Sequence, residues 1–68
     1  MNYIIIEQQT TNGTTSIVTP ATYNNAIDAE AAFLLKASYA RQSGLDCHSV
    51  TLLDQEGKII ARKAFITE

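Results

Sequence analysis

The sequence predicts an α+β fold of order ββαββ, in which two β-hairpins flank one central helix and an antiparallel sheet carries the helix on one face. Residues that favour β-strands, chiefly Ile, Val, Thr and Tyr, dominate both ends of the chain. Each end contains a short glycine turn, and an alanine-rich stretch of high helix propensity lies between them. We therefore expect residues 1–68 to form a single domain.

The strands Asn2–Thr10 and Thr14–Thr19 are predicted to form the first hairpin around Asn12-Gly13. An Asn-Gly pair favours a type I′ turn, because both central residues of that turn adopt a positive φ. Pro20 has no N–H group to donate, so the second strand is expected to end there. The two-residue loop predicts a register with Gln8 opposite Ile17 and Ile5 opposite Pro20.

The central helix is predicted from Asn25 to Ser43. Asn25 is a good N-cap residue, and Asp28 three positions later resembles a weak capping box. Arg41 in the last turn complements the helix dipole. Gly44 is therefore expected to end the helix in the left-handed conformation.

The second hairpin is predicted from the strands Cys47–Asp54 and Lys58–Thr67, with a type I turn at Asp54–Gly57. Pairing across this turn sets Leu53 opposite Ile59, Leu52 opposite Ile60 and Val50 opposite Arg62. In this register His48 and Arg62 share one side of the sheet. Aliphatic residues then occupy both sides of the hairpin, unlike a sheet with one solvated face.

Two stripes run along the predicted helix at its 3.6-residue period. The stripe with larger side chains is expected to pack on the chain's own sheet, and it comprises Ile27, Ala31, Leu34, Leu35 and Tyr39. The stripe of mostly small residues is expected to permit close approach of another subunit, and it comprises Ala26, Ala29, Phe33, Ala37 and Ala40. The sheet residues predicted for the same interface are Leu53, Ile59 and Phe65.

Small size favours association between copies of the chain. A chain of 68 residues buries only about 60% of its unfolded surface, and one short helix cannot cover both faces of the sheet. One cysteine provides no disulfide framework, and one Cys with one His makes a structural zinc site implausible. We expect a homo-oligomer, a dimer or larger. Two alternatives stay open: a monomer with two sheets or a partly closed barrel around the helix, and obligate association with a different protein.

Charge and hydropathy exclude several classes of partner. The net charge is −2 and the five cations form no extended basic face, which argues against nucleic acid. No apolar run is long enough to span a membrane, and the N-terminus lacks the basic segment of a signal peptide. The lone Cys47 fits a reducing compartment, so a cytoplasmic location is expected.

The chemistry-bearing residues predict binding and not catalysis. Cys47 and His48 are adjacent on a strand and point to opposite faces, which keeps the thiol away from the imidazole. No phosphate loop, metal motif or cofactor motif occurs, so we expect no enzyme activity, no metal and no cofactor. The residues predicted to hold a small anionic ligand are His48, Arg62 and Lys63.

Three segments of the chain resemble a group of short proteins of Gram-positive bacteria and their phages. The segments are Tyr3-Ile4-Ile5-Ile6-Glu7, then Ala29-Glu30-Ala31-Ala32 with Tyr39-Ala40, and finally His48–Gly57. The resemblance implies the hairpin–helix–hairpin fold and a phage or mobile-element origin, and it supplies no site residues.

The leading functional hypothesis is a non-enzymatic, oligomeric binding protein. In its narrower form the protein is a phage-encoded inhibitor of a host defence system, which acts by sequestering a host protein or a ligand. The alternatives are a sponge for a nucleotide or another anion, with pockets between subunits, and a structural or accessory component of a virion.

Overall fold

The computed structural model describes residues 1–66 and consists of one antiparallel sheet of five strands with one helix. This arrangement confirms the predicted α+β class and the helix between two groups of strands. The elements in chain order are β1 (Tyr3–Thr11), β2 (Thr14–Ile17), β3 (Ala21–Tyr23), α1 (Ala26–Gln42), β4 (Cys47–Asp54) and β5 (Ile59–Ile66). Thr67, the predicted end of the last strand, lies outside the described residues.

The two hairpins join through β1 and β4, which pair along eight residues in the middle of the sheet. β5 forms the edge beyond β4. The opposite edge of β1 is shared by β2 and β3, which pair with different parts of the strand. The sheet order β2-β1-β4-β5 therefore makes the first and fourth strands the interior of the fold.

The first hairpin turns at the predicted residues, where Asn12 has a φ of 52° and Gly13 a φ of 79°. Gln8 pairs with Ile17 as predicted. Beyond Ile17 the register shifts by one residue, because Ile5 pairs with Ala21 and not with Pro20. Proline cannot donate to the ladder, so the chain leaves the sheet at this point and returns as β3, a strand that the sequence did not predict.

The helix matches its predicted ends closely. Asn25 is the N-cap, and its side-chain oxygen accepts a 2.8 Å hydrogen bond from the backbone N–H of Asp28. Its side-chain amide donates to the Asp28 carboxylate, also at 2.8 Å. Ser43 is the C-cap, and Gly44 follows with a φ of 70°. The first of these hydrogen bonds satisfies a backbone N–H group that the N-terminus of every helix leaves open, and the second holds the capping side chain in place.

The predicted roles of the two helix stripes were wrong and are reversed in the structure. Residues assigned to a subunit interface lie under the chain's own sheet instead: Ala29, Phe33, Ala37 and Ala40. Ala26, assigned with them, is exposed. The branched side chains of Ile5, Val50 and Leu52 already fill the space between sheet and helix. The helix therefore contributes one aromatic ring and otherwise approaches through small residues.

The register of the second hairpin contains a bulge that the sequence did not predict. Leu53 pairs with Ile59 as expected, but Leu52 pairs with Ala61, so Ile60 is the extra residue. A shift of one residue moves every later side chain of β5 to the other face. Phe65 therefore packs against the core beneath the helix and not at the predicted interface. None of the described helices is long and apolar enough to cross a membrane.

Candidate functional site

The outer side of α1 is an exposed apolar surface, which we call the helix surface. It consists of the stripe that was predicted to be internal. Ile27 keeps 82% of its area exposed and Leu34 keeps 58%, and both point away from the sheet. The complete stripe is Ile27, Ala31, Leu34, Leu35 and Tyr39. An amphipathic helix normally carries polar groups on this side, so the exposed side of α1 is unusually apolar.

The face of the sheet opposite α1 is a second apolar surface, which we call the open sheet face. Residues alternate along a strand, and Ile5 and Leu52 face the helix, so their neighbours face away from it. The half-buried centre of the open sheet face contains Ile4, Ile6 and Leu53, and exposed residues around it are Ile17, Ile59 and Ile66. Leu53 and Ile59, two of the predicted interface residues, therefore share this face.

A polar network lies between helix and sheet, and sequence reasoning missed it. Lys36 Nζ donates to Glu7 Oε1 at 2.9 Å, and Glu7 Oε2 lies 3.2 Å from His48 Nε2. The other ring nitrogen of His48 lies 3.1 Å from Ser43 Oγ at the end of the helix. The network therefore connects β1, β4, the middle of α1 and its C-cap.

Protons in this network are constrained by the acceptors present. A carboxylate only accepts, so His48 Nε2 carries a proton and donates to Glu7. Ser43 Oγ lies 2.9 Å from the carbonyl oxygen of Ala40, to which its hydroxyl donates. His48 Nδ1 lies 3.1 Å from the same hydroxyl oxygen, so the imidazole and the Ala40 carbonyl share this one serine side chain.

Burial and charge act in opposite directions on Glu7. Partial burial raises the pKa of its carboxyl group, but the hydrogen bonds and charges of Lys36 and His48 outweigh burial and lower the pKa below its ordinary value. The Glu7 carboxylate in turn raises the pKa of Lys36 through their hydrogen bond. Both shifts stabilise the charged forms at neutral pH, so the network holds the helix on the sheet.

Ser43, His48 and Glu7 follow one another in the order of a catalytic triad, yet their contacts are those of a helix cap. The Ser43 hydroxyl bonds the Ala40 carbonyl, as a C-capping serine does. Glu7 forms an ion pair with Lys36 in addition to its contact with His48, which weakens its support of a proton-accepting imidazole. The arrangement therefore accounts for a structural link between the layers.

The predicted anion site is not assembled as the sequence suggested. Both ring nitrogens of His48 are occupied within the buried network. The bulge places Arg62 on the open sheet face, opposite Thr51, whereas Lys63 pairs with Val50 on the helix side. The three residues thus do not face one ligand, because the one-residue shift separates Arg62 from His48 and strand alternation separates Arg62 from Lys63.

Lys63 instead lies in a cleft between α1 and β5. The cleft has a volume of about 310 Å³, and its lining residues are Leu34, Ala37, Ser38, Arg41, Lys63 and Phe65. Two cations, one hydroxyl and one aromatic ring therefore border the same space. A second cleft of about 460 Å³ lies at the other end of the sheet and is lined by Asn2, Thr22, Tyr23 and Asn24.

Comparisons with known proteins identify no relative. The chain matches no family model, and no curated protein or solved structure is significantly similar to it. Within residues 1–66, no group of three or more His, Cys, Asp or Glu side chains is placed to hold a metal ion.

Proposed function

We propose that the protein is a non-enzymatic binding protein that works as an oligomer. The supporting observation is the presence of large apolar side chains on two opposite sides of the molecule, the helix surface and the open sheet face. Monomeric proteins rarely expose contiguous apolar patches larger than about several hundred Å². The helix surface serves contact between copies of the chain, and the open sheet face binds a target.

The target surface in this proposal is the open sheet face. Polar side chains border its apolar centre on one side, among them Gln8, Thr51 and Arg62. An apolar centre with a polar rim is the usual anatomy of a protein–protein interface. The proposed target is therefore a protein with an exposed apolar surface of its own.

A narrower form of the proposal names the process. It places the target in a host defence system, which the protein inhibits by sequestration, and it rests on the phage origin that we expect from the sequence. The free cysteine Cys47 supports a cytoplasmic site of action. The test is phage infection of a defended host: expression of the wild-type chain restores plaques, and expression of Leu53→Asp does not.

Sedimentation velocity over a series from low to high micromolar concentration tests the oligomer. The proposal expects the weight-average mass to rise above 7.4 kDa with concentration. A constant mass of one chain over the whole series contradicts self-association. Dialysis with added reductant removes any contribution from an intermolecular Cys47 disulfide.

A second candidate function, a sponge for a nucleotide-like anion, is favoured by the cleft between α1 and β5. Arg41 and Lys63 offer positive charge to phosphate, and Phe65 offers a ring face to a base. Calorimetric titration with cyclic and linear nucleotides tests this candidate. Binding that weakens in Lys63→Gln but not in the control Lys58→Gln supports it, and absence of heat with every nucleotide rejects it.

A further inference from the structure

We propose that a second copy of this chain docks on the helix surface and forms an antiparallel helix pair with two-fold symmetry. The inference rests on the self-association proposed above and names the surface and geometry that produce it. Three features carry it: the position of the apolar stripe, the position of two leucines along α1, and the placement of two charged residues beside them.

The stripe is centred on the side of α1 that faces directly away from the sheet. Successive residues are rotated by about 100°, so Ala31 projects nearly opposite the buried pair Ala29 and Phe33. Leu34 and Leu35 lie at the middle of the helix, which runs from Ala26 to Gln42. In an antiparallel pair, the same two leucines of both copies meet around the two-fold axis, and the small Ala31 permits close approach.

Two charges border one flank of this stripe. Glu30 and Arg41 are separated by eleven positions, or three turns, so they project in nearly the same direction. They are roughly 16 Å apart along the axis, which is too far for an ion pair within one helix. Both are exposed, and neither forms an ion pair with any other residue of the described segment 1–66.

In an antiparallel pair with two-fold symmetry, the same flank of both helices lies on one side of the interface. The two helices run in opposite directions along it. Glu30 then faces the partner's Arg41, and Arg41 faces the partner's Glu30. The midpoint between these two positions falls beside Leu35, within about 1.5 Å of the middle of the leucine pair. A single position of the two-fold axis therefore pairs the opposite charges and also brings the leucines of both copies together. In a parallel pair, two-fold symmetry would place this flank of the two copies on opposite sides of the interface, so the charges of one copy would not meet those of the other.

The open sheet face offers no comparable self-complementarity. By strand alternation its one charged side chain among β1, β4 and β5 is Arg62. A two-fold contact through that face would bring two apolar centres together without any opposite charge to set their orientation. The charge pattern thus favours the helix surface for the second copy.

Charge reversal tests the pairing by sedimentation equilibrium. Glu30→Arg and Arg41→Glu each replace two attractive pairs by two repulsive ones, and each is expected to weaken dimerisation about ten- to thirtyfold. The double variant E30R/R41E restores opposite charges and is expected to dimerise like the wild type. A mixture of the two single variants is expected to form a heterodimer, because one chain then carries two positive charges on this flank and the other carries two negative charges.

A matched pair of apolar variants locates the surface. Leu34 and Ile59 are equally exposed, at 58% and 57%, on opposite sides of the molecule. Leu34→Glu is expected to weaken the dimer at least about a hundredfold, since the residue lies beside the axis in both copies, whereas Ile59→Glu leaves it unchanged. Circular dichroism is the control that checks whether each variant is folded.

The outcomes separate this inference from the proposed function. A wild-type chain that stays monomeric refutes self-association itself. A wild-type dimer that resists Leu34→Glu but dissociates with Ile59→Glu overturns the helix surface and leaves oligomeric binding in place. A dimer that is lost in Leu34→Glu but is not restored in the mixture of single charge variants overturns the antiparallel geometry.

Discussion

Leucine substitution at two alanines of α1 tests which side of the helix contacts the sheet. Ala29 has no exposed area and contacts the core, whereas Ala31 is exposed in the middle of the helix surface. The variants Ala29→Leu and Ala31→Leu make the same chemical change on the same helix, and both residue types have high helix propensity. Any difference in stability therefore reports the surroundings of the side chain.

The expected magnitudes differ clearly. Leucine at position 29 has three extra carbons to place between α1 and the branched side chains of Ile5 and Val50, both of which are nearly or completely buried. Such overpacking costs about 1–3 kcal/mol, against a total stability of roughly 3–10 kcal/mol for a chain of this length. At position 31 the side chain enters solvent, so the change stays within about 0.5 kcal/mol.

Thermal unfolding followed by circular dichroism measures the effect, at protein concentrations low enough to keep the chain monomeric. A loss of about 2 kcal/mol lowers Tm by roughly 8–16 °C in a domain of this size. Ala29→Leu is expected to show this decrease, and Ala31→Leu is expected to melt like the wild type. The opposite order would show that the helix surface faces the sheet, and the docking surface proposed on α1 would then be misplaced.

Four further predictions concern the network, the cap, the second turn and the triad-like serine. The pKa of Glu7 in the folded protein lies below its ordinary value of 4.5, so its contribution to stability is complete above that value and is lost as pH falls through the folded pKa. In urea unfolding, the stability of Glu7→Gln should therefore fall less steeply at acid pH than that of the wild type. An unchanged dependence on pH would contradict the network. Asn25→Ala should cost about 1 kcal/mol in the same assay and Asn25→Ser much less, so equal losses would argue against capping. Gly57 has a φ of 86° with open space where a Cβ would lie, so Gly57→Ala should cost about 1–2 kcal/mol through backbone strain alone, and a neutral result would refute that conformation. A fluorophosphonate probe should leave Ser43 unmodified by mass spectrometry, whereas a labelled Ser43 would favour a hydrolase over a binding protein.

Elements whose ends depend on near neighbours were predicted well. The N-cap at Asn25, the positive φ at Asn12 and Gly13, and the bounds of β4 all agree with the sequence prediction. For the cap and the turn, the deciding interaction joins residues a few positions apart. Such signals act before any tertiary contact is formed, so the amino-acid pattern alone carries them.

The polar network was missed because its members are distant in sequence. Glu7 and His48 are 41 positions apart and meet only when β1 pairs with β4. A signal was nevertheless present: Glu7 follows Ile5 by two positions, so a charged residue occupies the same strand face as a core isoleucine. A charge at such a position requires a partner once it is covered, and Lys36 and His48 provide it.

The sequence by itself determined the hairpin–helix–hairpin order without β3, the turns and the helix caps, because these depend on backbone preferences and short-range hydrogen bonds. Only the tertiary structure decided which side of α1 is buried and which face of the sheet carries Arg62. The first depends on the volume that sheet side chains leave for the helix, and the second on one extra residue at Ile60. Neither volume nor register is a property of a single segment, since both arise where segments meet.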